Sequence, residues 1–245
     1  MSAPVIRADS DAFADAVDRL DWSRIRADIH TRGFATTGPI LDVKDCRELS
    51  ALYDDDALFR SRVVMARHSF GRGEYKYLNY PLPDAVREMR AAFYPRLVPV
   101  ANQWQEMTGA AVRFPPDHGA FLRRCHNAGQ KLPTPLLLRY ETDDYNCLHQ
   151  DLYGEHVFPL QVAVLLSDPA ADFTGGEFVL TEQRPRMQSR AEVVSLAQGE
   201  AVVFAVNERP VEGSRGVYRV RMRHGVSRVK SGRRHVLGLI FHDAA

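Results

Sequence analysis

The stretch from Tyr140 to Asp151 ends in His149-Gln150-Asp151. On an extended strand successive side chains alternate faces, so the imidazole and the carboxylate point the same way, about 7 Å apart along the chain. That spacing supplies two metal ligands. A second histidine from far along the chain would complete a two-His-one-carboxylate set, which leaves three coordination positions open on iron(II).

Nine histidines are present, and those that follow Asp151 are His156, His224, His235 and His242. His224 lies in Arg221-Met-Arg-His224-Gly225, between one β-type run and the next. A ligand at a strand end, followed by a turn glycine, is well placed to aim at a metal held by a neighbouring strand. His156 is close enough in sequence to be a loop residue, and His235 and His242 occupy a run with another task.

That task is suggested by Arg234, which opens the apolar run Val236, Leu237, Leu239, Ile240. A guanidinium at the head of a buried strand is costly without an anionic partner. A dicarboxylic cosubstrate offers one through a bidentate fork. Arg233 adjoins it, and strand alternation lets only one of the two face inward. Gln161, the lone polar residue between Val157 and Leu166, is a further candidate to face the site, and if buried it must find a partner.

The elements that must position these residues fall into two parts. Apolar residues at Phe13, Val17, Leu20, Ile25 and Ile29 predict one helix from Ser10 to about Thr31, bent near Trp22, with Ser10 and Asp11 as caps and Gly33 as its stop. Phe34 to Leu41 reads as a strand, and Asp42 caps a second helix through Leu52. From Arg60 to Tyr80, aromatics and cations interleave around Gly71 and Gly73. This pattern suits a loop that closes over a flat or anionic substrate, or else a surface hairpin whose tyrosines pack on the body.

A long helical pattern follows Pro83 to about Met107, with Pro95 and Pro99 expected to kink or split it, and another covers Asp117 to about Asn127. From Pro135 the character changes. Leu136 to Tyr140, Tyr145 to Leu148, Val157 to Leu166, Glu177 to Leu180, Ala191 to Leu196, Ala201 to Val206, Val217 to Met222 and Arg234 to Phe241 are short β-type runs separated by turn signals. Such spacing fits a sandwich or jelly roll. The expectation is a single α+β domain over residues 1–245: a mainly helical part, 1–134, buttressing a jelly-roll catalytic core, 135–245.

Composition is compatible with this plan. The 245 residues are 45% hydrophobic, enough to bury a sizeable core in one domain. The formal net charge is +1, yet from Gln183 to Arg234 twelve basic residues face four acids, a surplus of eight. Three cysteines, Cys46, Cys125 and Cys147, show no CxxC pairing, which argues for a reducing, cytoplasmic setting. Neither a signal peptide nor a membrane span is expected.

Taken as an ordered set, His149-Gln-Asp151, Gly175-Gly-Glu-Phe178, His224-Gly-Val and Gly232-Arg-Arg234 resemble the Fe(II)/2-oxoglutarate-dependent dioxygenases, whose fold is a double-stranded β-helix, a form of jelly roll. The resemblance covers roughly Leu136 to Phe241. It implies that His149, Asp151 and His224 hold Fe(II), that Arg234 pairs with the distal carboxylate of 2-oxoglutarate, and that Tyr140 hydrogen-bonds the same cosubstrate. It further implies consumption of O2, hydroxylation of a substrate C–H, and release of succinate and CO2.

For the substrate, His149-Gln-Asp151 and a tyrosine nine residues before it look like the AlkB group, which dealkylates nucleic acid bases. Bacterial oxygenases described for damaged nucleic acid are similar across Gly175 to Arg186. Val236, Gly238 and Ile240 depart from the last-strand pattern of the AlkB group, whereas Gly175-Gly-Glu-Phe178 is more like prolyl-hydroxylase-type members, which act on proteins or amino acids. A nucleic acid would use the basic stretch, with Arg184, Arg186 and Arg190 on phosphates and a tyrosine under a flipped base. Two rival readings are a non-catalytic β-sandwich binding module and a zinc hydrolase using the same ligands.

Overall fold

The computed structural model describes residues 10–245, with side chains from residue 13 onward, so capping by Ser10 and Asp11 lies outside the described side chains. In chain order the elements are α1 (Ser10–Asp18), α2 (Trp22–Arg32), β1 (Phe34–Pro39), α3 (Val43–Ala51), β2 (Phe59–Val64), β3 (Gly71–Arg72), β4 (Glu74–Leu78), α4 (Asp84–Met107) and α5 (His118–Asn127). There follow β5 (Leu136–Tyr140), β6 (Tyr145–His149), β7 (Leu160–Leu165), β8 (Phe173–Gly175), β9 (Phe178–Gln183), β10 (Arg190–Val194), β11 (Glu200–Ala205), β12 (Glu208–Gly213), β13 (Gly216–Val226), β14 (Val229–Gly232) and β15 (Arg234–Leu239).

The strands build two main antiparallel sheets. The larger runs β1-β11-β7-β15-β5-β4-β2 and the smaller β10-β9-β13-β6-β3, with β12 added to β13 and a separate pair β14-β8. Alternation decides what each face meets. Tyr140, Ala163, Leu165, Phe204 and Val236 turn toward Phe178, Leu180 and Val226 of the smaller sheet. Leu137, Val162, Val164, Val203 and Leu237 turn the other way and pack with Val86, Met89, Phe93 and Leu97 of α4. Covered on both faces, β7 is buried along its whole length, which is why it reads as an unbroken apolar run.

Two helical expectations change. The first helix is two helices: Asp21 caps α2 by accepting from the Arg24 backbone N–H at 3.0 Å, and the Trp22 indole donates to the Val17 carbonyl at 2.8 Å across the break. Neither Pro95 nor Pro99 splits α4, which runs through both. Four residues apart, they share its solvent face, and Ala91 and Pro95, whose carbonyls lose their usual donors, are themselves exposed. The buried stripe Met89, Phe93, Leu97 and Trp104 holds the helix to the core. Asp42 caps α3 as expected, and Asp117, which precedes α5 rather than opening it, caps that helix, each accepting a backbone N–H at 2.7 Å.

The sheets also draw on the mainly helical part. β1 pairs with β11, β4 with β5 and β3 with β6, so strands from before residue 134 complete both layers. The segment Arg60 to Tyr80 is the hairpin β2-β4 rather than a free closing loop. Its register is fixed by β5, and Lys76 is buried with its ammonium on the Tyr53 carbonyl at 2.8 Å. Among the described residues no helix is long and apolar enough to cross a membrane.

Candidate metal centre and anion pocket

Between the two sheets lies a cavity of about 240 Å³. His149, Asp151, His224, Tyr140, Gln161 and Arg234 all line it. Every residue singled out for the site is therefore brought to one chamber.

His149 ends β6 and faces His224 of β13 as a direct cross-strand pair, ring centroids 4.2 Å apart. Asp151 follows just beyond the strand, with Oδ1 3.5 Å from His149 Nε2 and Oδ2 3.4 Å from His224 Nε2. One donor atom from each of the three lies within 4.8 Å of the others. His149 Nδ1 sits 2.8 Å from the Cys147 carbonyl, which can only accept, so Nδ1 carries the proton and Nε2 keeps its lone pair toward Asp151.

His224 is not at a strand end. β13 continues through Gly225 to Val226 because Val226 still pairs with Phe178 of β9. Gly225 therefore belongs to the strand, where a Cβ would stand 2.6 Å from the Asn146 carbonyl oxygen. On the other side of β6, Gly71 (φ 130°) sits so close that a Cβ would collide with the Tyr145 carbonyl oxygen. Bare glycines thus let two neighbouring backbones close on the strand that carries His149.

Burial alone would raise the Asp151 carboxyl. The hydrogen bond and charge of His224, then the charge of His149 and the Tyr153 hydroxyl, hold it well below the ordinary carboxylate range. Burial, and then the neighbouring His224, lowers the His149 imidazole against the pull of Asp151. An ionised carboxylate and an unprotonated imidazole are the forms that bind a metal.

The other three histidines do not converge here. His156 lies in a loop held by Gln130, whose Oε1 accepts its backbone N–H at 2.7 Å. His235 meets Tyr53 edge-on at 5.9 Å, and His242 Nδ1 accepts from the Phe158 N–H at 3.2 Å.

Arg234 opens β15 directly opposite Tyr140 of β5 and is 3% exposed. Its guanidinium carbon is 5.6 Å from the Tyr140 ring centroid and 5.8 Å from that of Phe173. Nε and Nη1 are buried without a hydrogen-bond partner. Burial pushes the guanidinium down to about 10, opposed by Tyr140 and Glu177. Arg233 faces outward and pairs with Glu141 at 3.0 Å. A buried fork with donors to spare is what an anion would complete.

Sequence reasoning gave no role to four residues that contribute. The Tyr153 hydroxyl donates to Asp151 Oδ1 at 2.8 Å and accepts from the Tyr77 hydroxyl at 2.9 Å. Phe204 and Phe178 flank the His224 ring at 4.7 and 6.0 Å. Gln150, pointing away from its neighbours, ties the segment down by donating to Asn207 Oδ1 at 2.6 Å and the Met222 carbonyl at 2.8 Å. Tyr153 stands two residues after Asp151, and period-two alternation was the signal that could have found it.

The basic surplus is not one uniform face. Arg209 is buried on Glu182, and Arg184, Arg190, Arg219 and Arg228 each have an acidic neighbour. Arg221 and Arg223 are exposed on β13, on the face opposite His224, and carry no ion pair among the described residues.

A family model described as "Oxygenase, catalysing oxidative methylation of damaged DNA" matches residues 73–244. Two curated relatives, the uncharacterized proteins MT2286 and Rv2227 of Mycobacterium tuberculosis strains CDC 1551 / Oshkosh and H37Rv, are each 50% identical over 165 residues, covering 67% of this chain and 71% of the relative. Among solved structures, a prolyl-4-hydroxylase of Pseudomonas putida superposes with TM-score 0.52 at 16% identity, covering 91% of this chain and 99% of that one. A 2OG-Fe(II) oxygenase family oxidoreductase of Burkholderia pseudomallei gives 0.52 at 16%, covering 91% and 93%. A Trichoplax adhaerens prolyl hydroxylase, solved with a hypoxia inducible factor peptide, gives 0.54 at 11%, covering 96% and 94%. At such identities the likeness establishes the fold, a jelly roll shared with 2-oxoglutarate oxygenases.

Proposed function

This chain belongs to the oxygenase family described as catalysing oxidative methylation of damaged DNA, and from that premise we propose that it is an Fe(II)- and 2-oxoglutarate-dependent dioxygenase performing oxidative dealkylation of damaged nucleic acid. The observation that carries the cosubstrate is Arg234, buried with free donors in the cavity that also holds the His149, Asp151 and His224 donor set. Membership of an oxygenase family leaves no place for a non-catalytic binding module.

The residues fit the groups this reading needs. Two imidazoles and one carboxylate would hold ferrous iron, and Arg234 would hold the far carboxylate of 2-oxoglutarate with the Tyr140 hydroxyl as a second donor. Bound together with O2, these groups supply the oxidation of a substrate C–H to C–OH, releasing succinate and CO2. Tyr153 fixes one oxygen of Asp151, and the Cys147 carbonyl fixes the tautomer of His149. Phe178 and Phe204 keep water from the inner side of His224.

Residues 1–245 act as one domain. The three unpaired cysteines support a reducing, cytoplasmic setting. Arg221 and Arg223 support a polyanionic substrate.

The test is succinate release under Fe(II), O2 and 2-oxoglutarate against alkylated oligonucleotides, peptides and free amino acids. Stimulation by the alkylated oligonucleotide, lost in Asp151→Ala, is the expected outcome. Stimulation by peptides or amino acids alone would move the substrate to the prolyl-hydroxylase-like alternative. Turnover with zinc and without 2-oxoglutarate would replace the oxygenase with a hydrolase.

A further inference from the structure

The inner face of the larger sheet is a set of rows fixed by strand register. Arg234 pairs with Tyr140. Val236 pairs with Leu138 and Leu165, and Gly238 with Leu136 and Ala163. Tyr75 and Tyr77 of β4 extend these last two rows through Leu138 and Leu136. Gln161, two residues before Ala163 on β7, stands one row further on. It lies three two-residue steps from Arg234, about 20 Å along the strands. Its direct partner on β11 is Phe204, which flanks the His224 ring, so Gln161 stands toward the metal end of the cavity and away from the head of β15 where Arg234 sits.

Gln161 is 4% exposed, faces the cavity and has no hydrogen-bond partner for Nε2. An unmade bond of this kind is a standing cost to the free protein. In the row between Gln161 and the middle of the cavity Ala163 forms the floor, while Leu136 leans over Gly238, its Cδ2 where a Cβ on that glycine would stand, and Tyr77 lies beyond it, meeting Tyr75 edge-on at 5.4 Å. The small Ala163 below, with Leu136 on one side and Phe204, the direct partner of Gln161 on β11, on the other, leaves a slot whose end wall carries a neutral donor rather than a charge.

We propose that Gln161 is the substrate-reading residue: its Nε2 group donates to an acceptor on the edge of a flat, neutral ring entering the slot over Ala163, and a nucleobase is the class of ligand that fits. This rests on the reading of the site as an oxygenase of damaged nucleic acid. It adds which end of the cavity takes the base and which side chain recognises it.

The experiment compares the full chain with Gln161→Met, which keeps length and removes the amide. Three quantities are measured: thermal unfolding without ligands, the 2-oxoglutarate concentration for half-maximal succinate release without oligonucleotide, and anaerobic binding of a single-stranded oligonucleotide with or without one N-methylated base. The variant should melt at or above the wild-type temperature, since an unsatisfied donor has gone. It should need the same 2-oxoglutarate and lose about tenfold in preference for the methylated strand. An unchanged preference would overturn the proposal, as would a melting point lowered by several degrees, which would make Gln161 structural. A wild type with no preference for the methylated strand would overturn the base assignment, while its iron-dependent succinate release would show separately that the oxygenase reading stands.

Discussion

The hydroxyl of Tyr153 donates to Asp151 Oδ1 at 2.8 Å, leaving Oδ2 as the oxygen nearer His224. Behind it the Tyr77 hydroxyl donates in turn, so the orientation of the carboxylate is set from a strand of the opposite sheet. Tyr153→Phe removes this restraint without altering any of the three candidate ligands. Affinity for Fe(II), or for Co(II) followed by its absorbance, should fall about 10–100-fold with the melting temperature little changed. Equal affinity in the two proteins would mean that the hydroxyl does not orient the carboxylate.

Adjacent arginines should behave differently. Arg234→Met should raise the half-saturating 2-oxoglutarate concentration at least about tenfold while leaving stability equal or higher, because a buried guanidinium without a partner is replaced by an apolar chain. Arg233→Met removes only an exposed pair with Glu141, worth about 0–1 kcal/mol, and should leave the cosubstrate requirement unchanged. The reverse pattern in a 2-oxoglutarate titration would invert the register assigned to β15.

Acid should destabilise the fold in two stages. Burial first, and then the nearby Arg90, lowers the His118 and His242 rings to about 4 from an ordinary 6.5. As pH falls through this window the unfolded chain takes up protons that the folded chain refuses. Stability is therefore full above about 6.5 and declines toward 4, by up to about 3 kcal/mol per ring. Asp243 is held below its ordinary value: burial raises it, but Arg90, at 2.8 Å, and His126 outweigh that. Its contribution is lost only below about 3.8. Melting temperatures from pH 8 to 4 should show the decline, and His242→Asn, which keeps an acceptor for the Phe158 N–H, should flatten it. A profile level down to pH 4 would contradict the burial argument.

Nucleic acid binding should depend on salt through Arg221 and Arg223. Replacing both by alanine should weaken single-strand binding and reduce the slope of log affinity against log salt by about 0.7 for each phosphate that is no longer neutralised. An identical slope would remove β13 from the interface.

The sequence carried the site further than it carried the scaffold. His149 and Asp151 were legible because alternation is local, and Arg234 because an arginine at the head of an apolar run needs an explanation. His224 was found from the wrong surroundings: β13 outlasts its apolar pattern because two neighbouring strands hold it, and pairing across sheets leaves no trace in a window of ten residues. The continuity of α4 was hidden for a related reason, since only packing shows that Pro95 and Pro99 both face solvent. Strands β2 to β4 were legible as a surface hairpin as much as a closing loop, because tyrosines facing a cavity and cations facing water give the alternation of either.

The glycines on either side of β6 set where this molecule can adapt. Gly71 and Gly225 let flanking main chains touch the ligand-bearing strand directly, so shifting its register would require both neighbours to retreat at once. Laboratory evolution toward new substrates should accordingly leave those two positions untouched and accumulate changes at Phe70, which is about half exposed and lines the cavity. Innovation is then confined to the doorway, while the frame stays rigid.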